Sequence, residues 1–257
     1  MRINHNISAL NTHRQLSSNN VSAGKSMEKL SSGLRINRAA DDAAGLSISE
    51  KMRSQIRGLN QAQRNAQDGI SLVQTFEGAL TEVSDMLGRM KELAVQKANG
   101  TYQQADTDNI NLEVTQLQSA IQNIYSNTKF NGVAMNSGST TIAMGHDGLD
   151  TVIITAQTVP TAASISTSAS TTDIDAAIDA VNTSRANYGA WQNRLEHMYN
   201  NMSTTTENLT ASESRIRDVD MAKEMMEFTK NNILQQAAQA MLAQANQQPQ
   251  GVLQLLR

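Results

Sequence analysis

The sequence predicts a mainly α-helical protein framed by long, coiled-coil-like helices, with one small β-hairpin region. Three observations carry this. Aromatic residues make up 3% of the 257 residues, and there are two prolines. The chain therefore has little of the ring bulk that fills most globular cores and few fixed turns. Two long segments repeat apolar residues at alternating steps of three and four. Both ends are amphipathic at helical spacing yet almost free of charge.

Residues 1–27 hold no acidic residue and only Arg2, Arg14 and Lys25 as full charges. Ile3, Ile7 and Leu10 recur there at helical spacing. From about residue 56 to 98, Ala66, Val73, Leu80, Leu87 and Ala94 recur every seven residues, with Ala62, Gly69, Phe76, Val83 and Met90 as a second seam. That spacing marks a coiled-coil-like helix. At about 1.5 Å per residue it spans about 60 Å. Asn99-Gly100 is a helix stop. Ile110, Val114, Leu117, Ile121 and Ile124 predict a shorter helix over about 105–127.

After Phe130-Asn131-Gly132 the character changes. Glycine punctuation and the β-branched run Val152–Thr155 predict a hairpin, with Gly145–Gly148 near its turn. A Ser/Thr/Ala connector (161–172) leads to a second heptad helix over about 174–219, with Asp173 as its expected N-cap. Ile174, Val181, Tyr188, Leu195, Met202, Leu209 and Ile216 lie seven apart, and Trp191, Met198 and Val219 sit on the companion seam. Residues 231–256 carry no charge, and Leu234, Ala238, Met241 and Ala245 recur at helical spacing.

Two readings of the ends stay open. They are solvated helix ends or tails, or they are a surface buried against other protein. A Gln/Asn face can be buried if its amides pair, whereas unpaired charges cannot. The apolar Val252, Leu253, Leu255 and Leu256 favour the second reading, because exposed they invite aggregation.

Several chemistries are excluded. With no cysteine there is no disulfide, thiol catalysis or Cys-based metal site. A net charge of −3 argues against a nucleic-acid partner. No apolar run is long enough for a membrane span, and the first 20 residues lack the continuous apolar core of a cleaved signal peptide. His5, His13, His146 and His197 have no metal-like partners in sequence, and no nucleophile-elbow or phosphate-loop motif occurs. No cofactor is expected. Arg35, Arg38, Arg53, Arg57 and Arg64 are interspersed with Asp41, Asp42, Glu50 and Asp68, a pattern that favours ion pairs over a polyanion site.

These residues resemble bacterial flagellin along essentially the whole chain. MRINHNISALNTHRQL at the start is similar to the family's N-terminus, and residues 29–71, KLSSGLRINRAADDAAGLSISEKMRSQIRGLNQAQRNAQDGIS, to its most diagnostic stretch. MKELAVQKANGT (90–101), NTKFNGV (127–133) and ILQQAAQAMLAQANQQPQGVLQLLR (233–257) match as well. Arg38-Ala39 departs from the family's common Ser-Ala-Lys type sequence before the paired Asp.

The resemblance implies a long antiparallel coiled-coil-like helical bundle with paired terminal helices and the small hairpin region. The terminal helices, residues 1–40 and 217–257, are expected to form a filament-core domain. Residues 41–55 are expected to connect it to a rod-like domain, 56–216, with the hairpin region near 130–172. The middle is short, so the form is minimal, with core and rod only. The implied function is a structural, non-enzymatic subunit of the flagellar filament for motility, exported unfolded and polymerised at the tip. It is secreted without a cleaved signal peptide, and its ends gain order on assembly. The implied partners are further copies of the chain, hook-associated and cap proteins, and the export apparatus and chaperone. An animal Toll-like receptor is a further implied partner, with Arg89, Leu93 and Glu113 matching the family's contact positions and Gly88 standing where Gln is common. Ile3, Ile7, Leu10, Leu234, Met241, Leu253, Leu255 and Leu256 are the candidate filament-core assembly residues. The alternative is a flagellar hook-associated junction protein, which shares similar terminal helices; residues 29–71 and the short middle favour flagellin.

Overall fold

The computed structural model describes residues 6–157 and 171–255, with side chains through residue 247. The chain divides into two compact units: residues 1–54 with 209–257, and residues 55–208.

In the first unit, α1 (Ile7–Ser32) pairs with α5 (Met221–Leu255). The pair is antiparallel. Asn6, at the start of α1, donates through Nδ2 to the Ala245 carbonyl at 2.7 Å. At the other end the Val219 N–H donates to the Gly33 carbonyl at 3.0 Å. Cα atoms of the two helices approach within 8 Å. Small residues allow this closeness: Ala23, Ser26 and Ala245 are buried, and Ala9, Asn19 and Ala238 are half-buried. Asn6 also caps α1, accepting from the Ala9 N–H at 3.1 Å.

A clasp joins the two chain passages beyond this pair. Leu34 and Asp218 form an antiparallel bridge, and the Arg35 N–H donates to the Arg217 carbonyl at 2.6 Å. The Arg35 guanidinium reaches the Ile216 carbonyl at 2.6 Å. Arg217 pairs with Glu50 at 2.5 Å and Arg53 with Glu213 at 3.6 Å. Arg35 and Arg53 of the arginine cluster thus make intrachain contacts. Arg38 pairs with Glu28, and the two acids that follow it shape backbone. Asp41 accepts from the Arg38 and Asn37 N–H groups at 3.0 and 3.2 Å, which holds its carboxyl below the usual range.

Asp42 starts the next helix, α2 (Ala43–Lys97), by accepting from the Gly45 N–H at 2.8 Å. The helix therefore begins well before residue 56, where the heptad becomes readable. Its first turns bury Gly45 and Ser49, which no hydrophobic template detects.

The second unit is built on the remainder of α2. Ala62, Ala66, Gly69, Val73, Phe76, Leu80, Val83, Leu87 and Met90 are all buried, as the heptad predicts. At its end the seam moves to Leu93, and Ala94 is half-buried. Straight helices drift against a seven-residue repeat in this way. Next come α3 (Gln104–Asn127) and α4 (Thr171–Arg217), of which residues 171–208 belong here. Lys91 meets Asp175 at 2.6 Å and Gln67 meets Tyr199 at 3.4 Å, so α4 runs antiparallel to α2. On α4, Ile174, Ala177, Val181, Ser184, Tyr188, Leu195 and Met202 are buried. Asp173 lies within its first turn rather than at its N-cap; there it complements the helix dipole.

Two hairpins complete the unit. Strands β1 (Lys129–Phe130) and β2 (Val133–Ala134) are joined by Asn131-Gly132, both at positive φ (47° and 84°), the geometry of a primed two-residue turn. The Asn-Gly pair was the available sign of this hairpin. Strands β3 (Ser139–Ala143) and β4 (Thr151–Thr155) pair antiparallel, with Ile142 opposite Val152 and Gly145 and Gly148 in the turn. This hairpin sits on α2. A Cβ at Gly58 would lie 2.5 Å from the His146 carbonyl oxygen, and Asn65 Nδ2 donates to the Ala143 carbonyl at 3.0 Å. Tyr188 is buried at the centre, edge-on to Phe76 and Trp191 at 6.1 and 5.4 Å between ring centroids. Burial pushes its phenol up to about 12.

Candidate functional site

The unit built on α1 and α5 reverses the usual arrangement of a helix pair. Its buried seam positions, Ala23, Ser26 and Ala245, are small, with Leu16, Leu30, Phe228 and Leu242 half-buried, and many of its large apolar side chains stay exposed. Ile7, Leu10, Leu234 and Met241 are 61%, 66%, 42% and 60% exposed. Val21, Met27, Met225, Met226 and Ile233 are also exposed. On α1, at about 100° per residue, Ile7, Leu10 and Val21 lie on the side opposite Ala9, Leu16, Ala23 and Leu30. The exposed face also borders a groove of about 380 Å³ lined by Asn11, Gln15, Leu234, Ala237 and Met241. Few charges interrupt these faces, so nothing on them opposes burial against another apolar surface.

Of the eight candidate assembly residues, Ile7, Leu10, Leu234 and Met241 are thus placed together on one unit. Ile3 and Leu256 lie outside the described residues, and the side chains of Leu253 and Leu255 do too. Sequence reasoning missed Val21, Met226 and Ile233. Their signal was spacing: Val21 follows Leu10 by three turns, and Met226–Ile233 and Leu234–Met241 are each seven apart.

A second patch lies in the other unit. The Arg89 guanidinium donates to Glu113 and to Glu92, both at 3.0 Å; Arg89 and Glu113 are about half exposed and Glu92 more so. Its hydrogen bonds to Glu92 and then to Glu113 raise the already high pKa of Arg89, so its charge is fixed. Val95 and Leu112 are exposed on the same helices. Leu93 is 1% exposed. Its side chain belongs to the core beneath α2 and not to this surface.

The structure also brings His146 and His197 to one cavity of about 630 Å³, with Asp150, Arg194 and Met198. Sequence distance had kept them apart. Among the described residues no group of three or more acidic or histidine side chains is placed to hold a metal. Among the same residues, no helix is long and apolar enough to cross a membrane.

Long antiparallel helices with small hairpins, and a terminal helix pair that turns its apolar side chains outward, define a structural protein of the helical-polymer type. The comparisons with known proteins agree. Residues 3–141 match the bacterial flagellin N-terminal helical region, and residues 171–256 match the bacterial flagellin C-terminal helical region. Flagellin of Bacillus subtilis (strain 168) is 51% identical, covering all of both chains. A crystal structure of Bacillus cereus flagellin is 32% identical over 58% of this chain and 94% of that one, with a TM-score of 0.51. A putative flagellar hook-associated protein from Vibrio parahaemolyticus covers 69% of this chain and all of its own. Its TM-score is 0.54 at 16% identity, a likeness of fold alone. The chain belongs to the bacterial flagellin family. It is a structural subunit of the flagellar filament, an extracellular part of the flagellum; the hook-associated alternative has no support beyond that shared fold.

Proposed function

We propose that the chain polymerises through the outward apolar face of its α1–α5 pair, with Ile7, Leu10, Leu234 and Met241 buried against neighbouring copies. The observation that carries this is the reversal just described. A helix pair that fully buries only Ala23, Ser26 and Ala245 and leaves this many Ile, Leu, Val and Met side chains exposed is incomplete as a monomer. Contacts made with different patches of successive copies do not close, and so build an open helix. On this reading the unit formed by residues 1–54 and 209–257 supplies the filament core, and residues 55–208 the outer rod. The ends gain their full order on assembly, and that entropy cost delays growth until a template is present.

The chain acts as a structural element and not as an enzyme. It leaves the cell unfolded through the flagellar export apparatus, with a chaperone, and adds beneath a cap on a hook-associated base. The test is seeded polymerisation of purified monomer, followed by light scattering and electron microscopy, with a parallel chain lacking residues 235–257. Growth of the intact chain alone supports the proposal; growth of both refutes it.

A second reading concerns the rod. Arg89, held by Glu92 and Glu113 on an exposed helix face, is a preorganised polar contact for an animal Toll-like receptor. Leu93 supports that face from beneath. A receptor reporter assay on Arg89→Ala should lose signal, and an unchanged response removes the reading.

A further inference from the structure

Thirteen methionines make up an unusual share of the apolar side chains of this chain. Their burial divides sharply. Met27, Met221, Met225, Met226 and Met241 are exposed, and all five belong to the unit of residues 1–54 and 209–257. Met90, Met135, Met144 and Met202 are fully buried, and all four belong to the unit of residues 55–208. Met52, Met86 and Met198 are half-buried. Exposed thioethers therefore concentrate on the unit proposed above to pack against other copies.

From this we infer a redox-sensitive modification site: the exposed methionines of α1 and α5 are oxidised to sulfoxides in the free subunit, and their oxidation blocks assembly. The inference rests on the assembly reading. The oxidant is a peroxide. The thioether sulfur attacks one peroxide oxygen, an S–O bond forms, the O–O bond breaks and water leaves. The sulfur loses two electrons and the peroxide gains them. The product is polar and chiral, and burying it leaves a strong acceptor that the neighbouring apolar surface does not satisfy. Methionine suits such a face before oxidation because its flexible, polarisable side chain adapts to uneven packing. Once the face is covered, peroxide no longer reaches it. The same residues then discriminate an unassembled subunit from an assembled one.

The experiment treats full-length monomer and finished filaments with graded hydrogen peroxide, maps sulfoxide by peptide mass spectrometry, and measures seeded growth. Untreated monomer must grow on seeds; if it does not, the assembly reading itself fails. Given that growth, oxidised monomer should carry sulfoxide first at Met27, Met221, Met225, Met226 and Met241. Growth should weaken about tenfold or more for each sulfoxide buried without a partner, and return after treatment with a methionine sulfoxide reductase. A variant with these five changed to Leu, a volume-conserving swap, has a growth rate of its own, and the same treatment should leave that rate unreduced. Growth of oxidised wild type at the untreated rate overturns the inference, as does equal loss in the Leu variant. Should the Leu variant not fold, protection decides: in filaments the five sites should oxidise far more slowly than in monomer, and equal rates overturn it.

Discussion

Replacing Ile7, Leu10, Leu234 and Met241 together by Gln should abolish polymerisation while leaving the subunit folded. Full burial of such a side chain contributes about 1.5–3 kcal/mol. With 42–66% of each surface still exposed in the subunit, about 1–2 kcal/mol per residue remains to be gained on assembly. For the four this is about 3–7 kcal/mol, an upper figure because it uses an extended reference chain. The critical concentration should therefore rise by roughly 2–5 powers of ten. Gln has nearly the helix propensity of Leu and Met, and none of the four is among the buried residues of the α1–α5 pair, although Leu234 and Met241 border it. Helical content by circular dichroism should accordingly match the wild type. The assay is the soluble protein concentration remaining above seeded filaments at equilibrium. A variant that keeps its helicity and has a critical concentration within about tenfold of wild type would refute the reasoning, since the outward face would then contribute almost nothing.

Three further outcomes follow from the geometry. Gly88→Ala should stabilise the unit of residues 55–208 by about 1 kcal/mol, because a Cβ there meets nothing within 4 Å. Gly58→Ala should destabilise it by about 1–3 kcal/mol, because its Cβ meets the His146 backbone at 2.5 Å; thermal unfolding of both variants checks the sign. Asn6→Ala removes both the α1 cap and the bond to Ala245, and should cost about 2 kcal/mol of the helix pair, whereas Asn6→Asp keeps the cap and loses only the donor; amide exchange over residues 7–20 separates them. Tyr188 is an acid whose folded pKa, about 12, stands above its unfolded value of 10. Its contribution is therefore intact below pH 10 and is lost as pH climbs toward 12, by roughly 2–3 kcal/mol. Tyr188→Phe should flatten that part of the pH–stability curve, and an unchanged slope would remove the phenol from the account.

What could be read from the sequence depended on how each helix packs. In α2 and α4 the neighbours are spaced for large side chains, so the buried positions are the apolar ones and a seven-residue recurrence finds them from Ala62 to Met90 and from Ile174 to Met202. The first turns of α2 bury Gly45 and Ser49, and there the same template sees nothing until about residue 56. The terminal helices go further. Close approach within 8 Å selects Ala, Ser and Asn for the contact, so hydrophobicity marks the face that is not used within the subunit. An amphipathic stripe says that some surface will be covered, without saying by which chain. In α1 the stripe of Ile7 and Leu10 lies opposite the intramolecular seam, and in α5 the stripe adjoins it, its small members Ala238 and Ala245 turned to α1 and Leu234 and Met241 left exposed at the edge. Ile7, Leu10, Leu234 and Met241 were singled out as apolar and stay exposed, and Ala238 and Ala245 of the seam shared the helical spacing of Leu234 and Met241, while Ala9, Asn19 and Ser26, also on the seam, carried no signal that composition or periodicity could raise. Burying mostly small residues while Ile7, Leu10, Ile233, Leu234 and Met241 stay exposed is an arrangement a monomer has no use for, and it is the physical reason to look for the second copy.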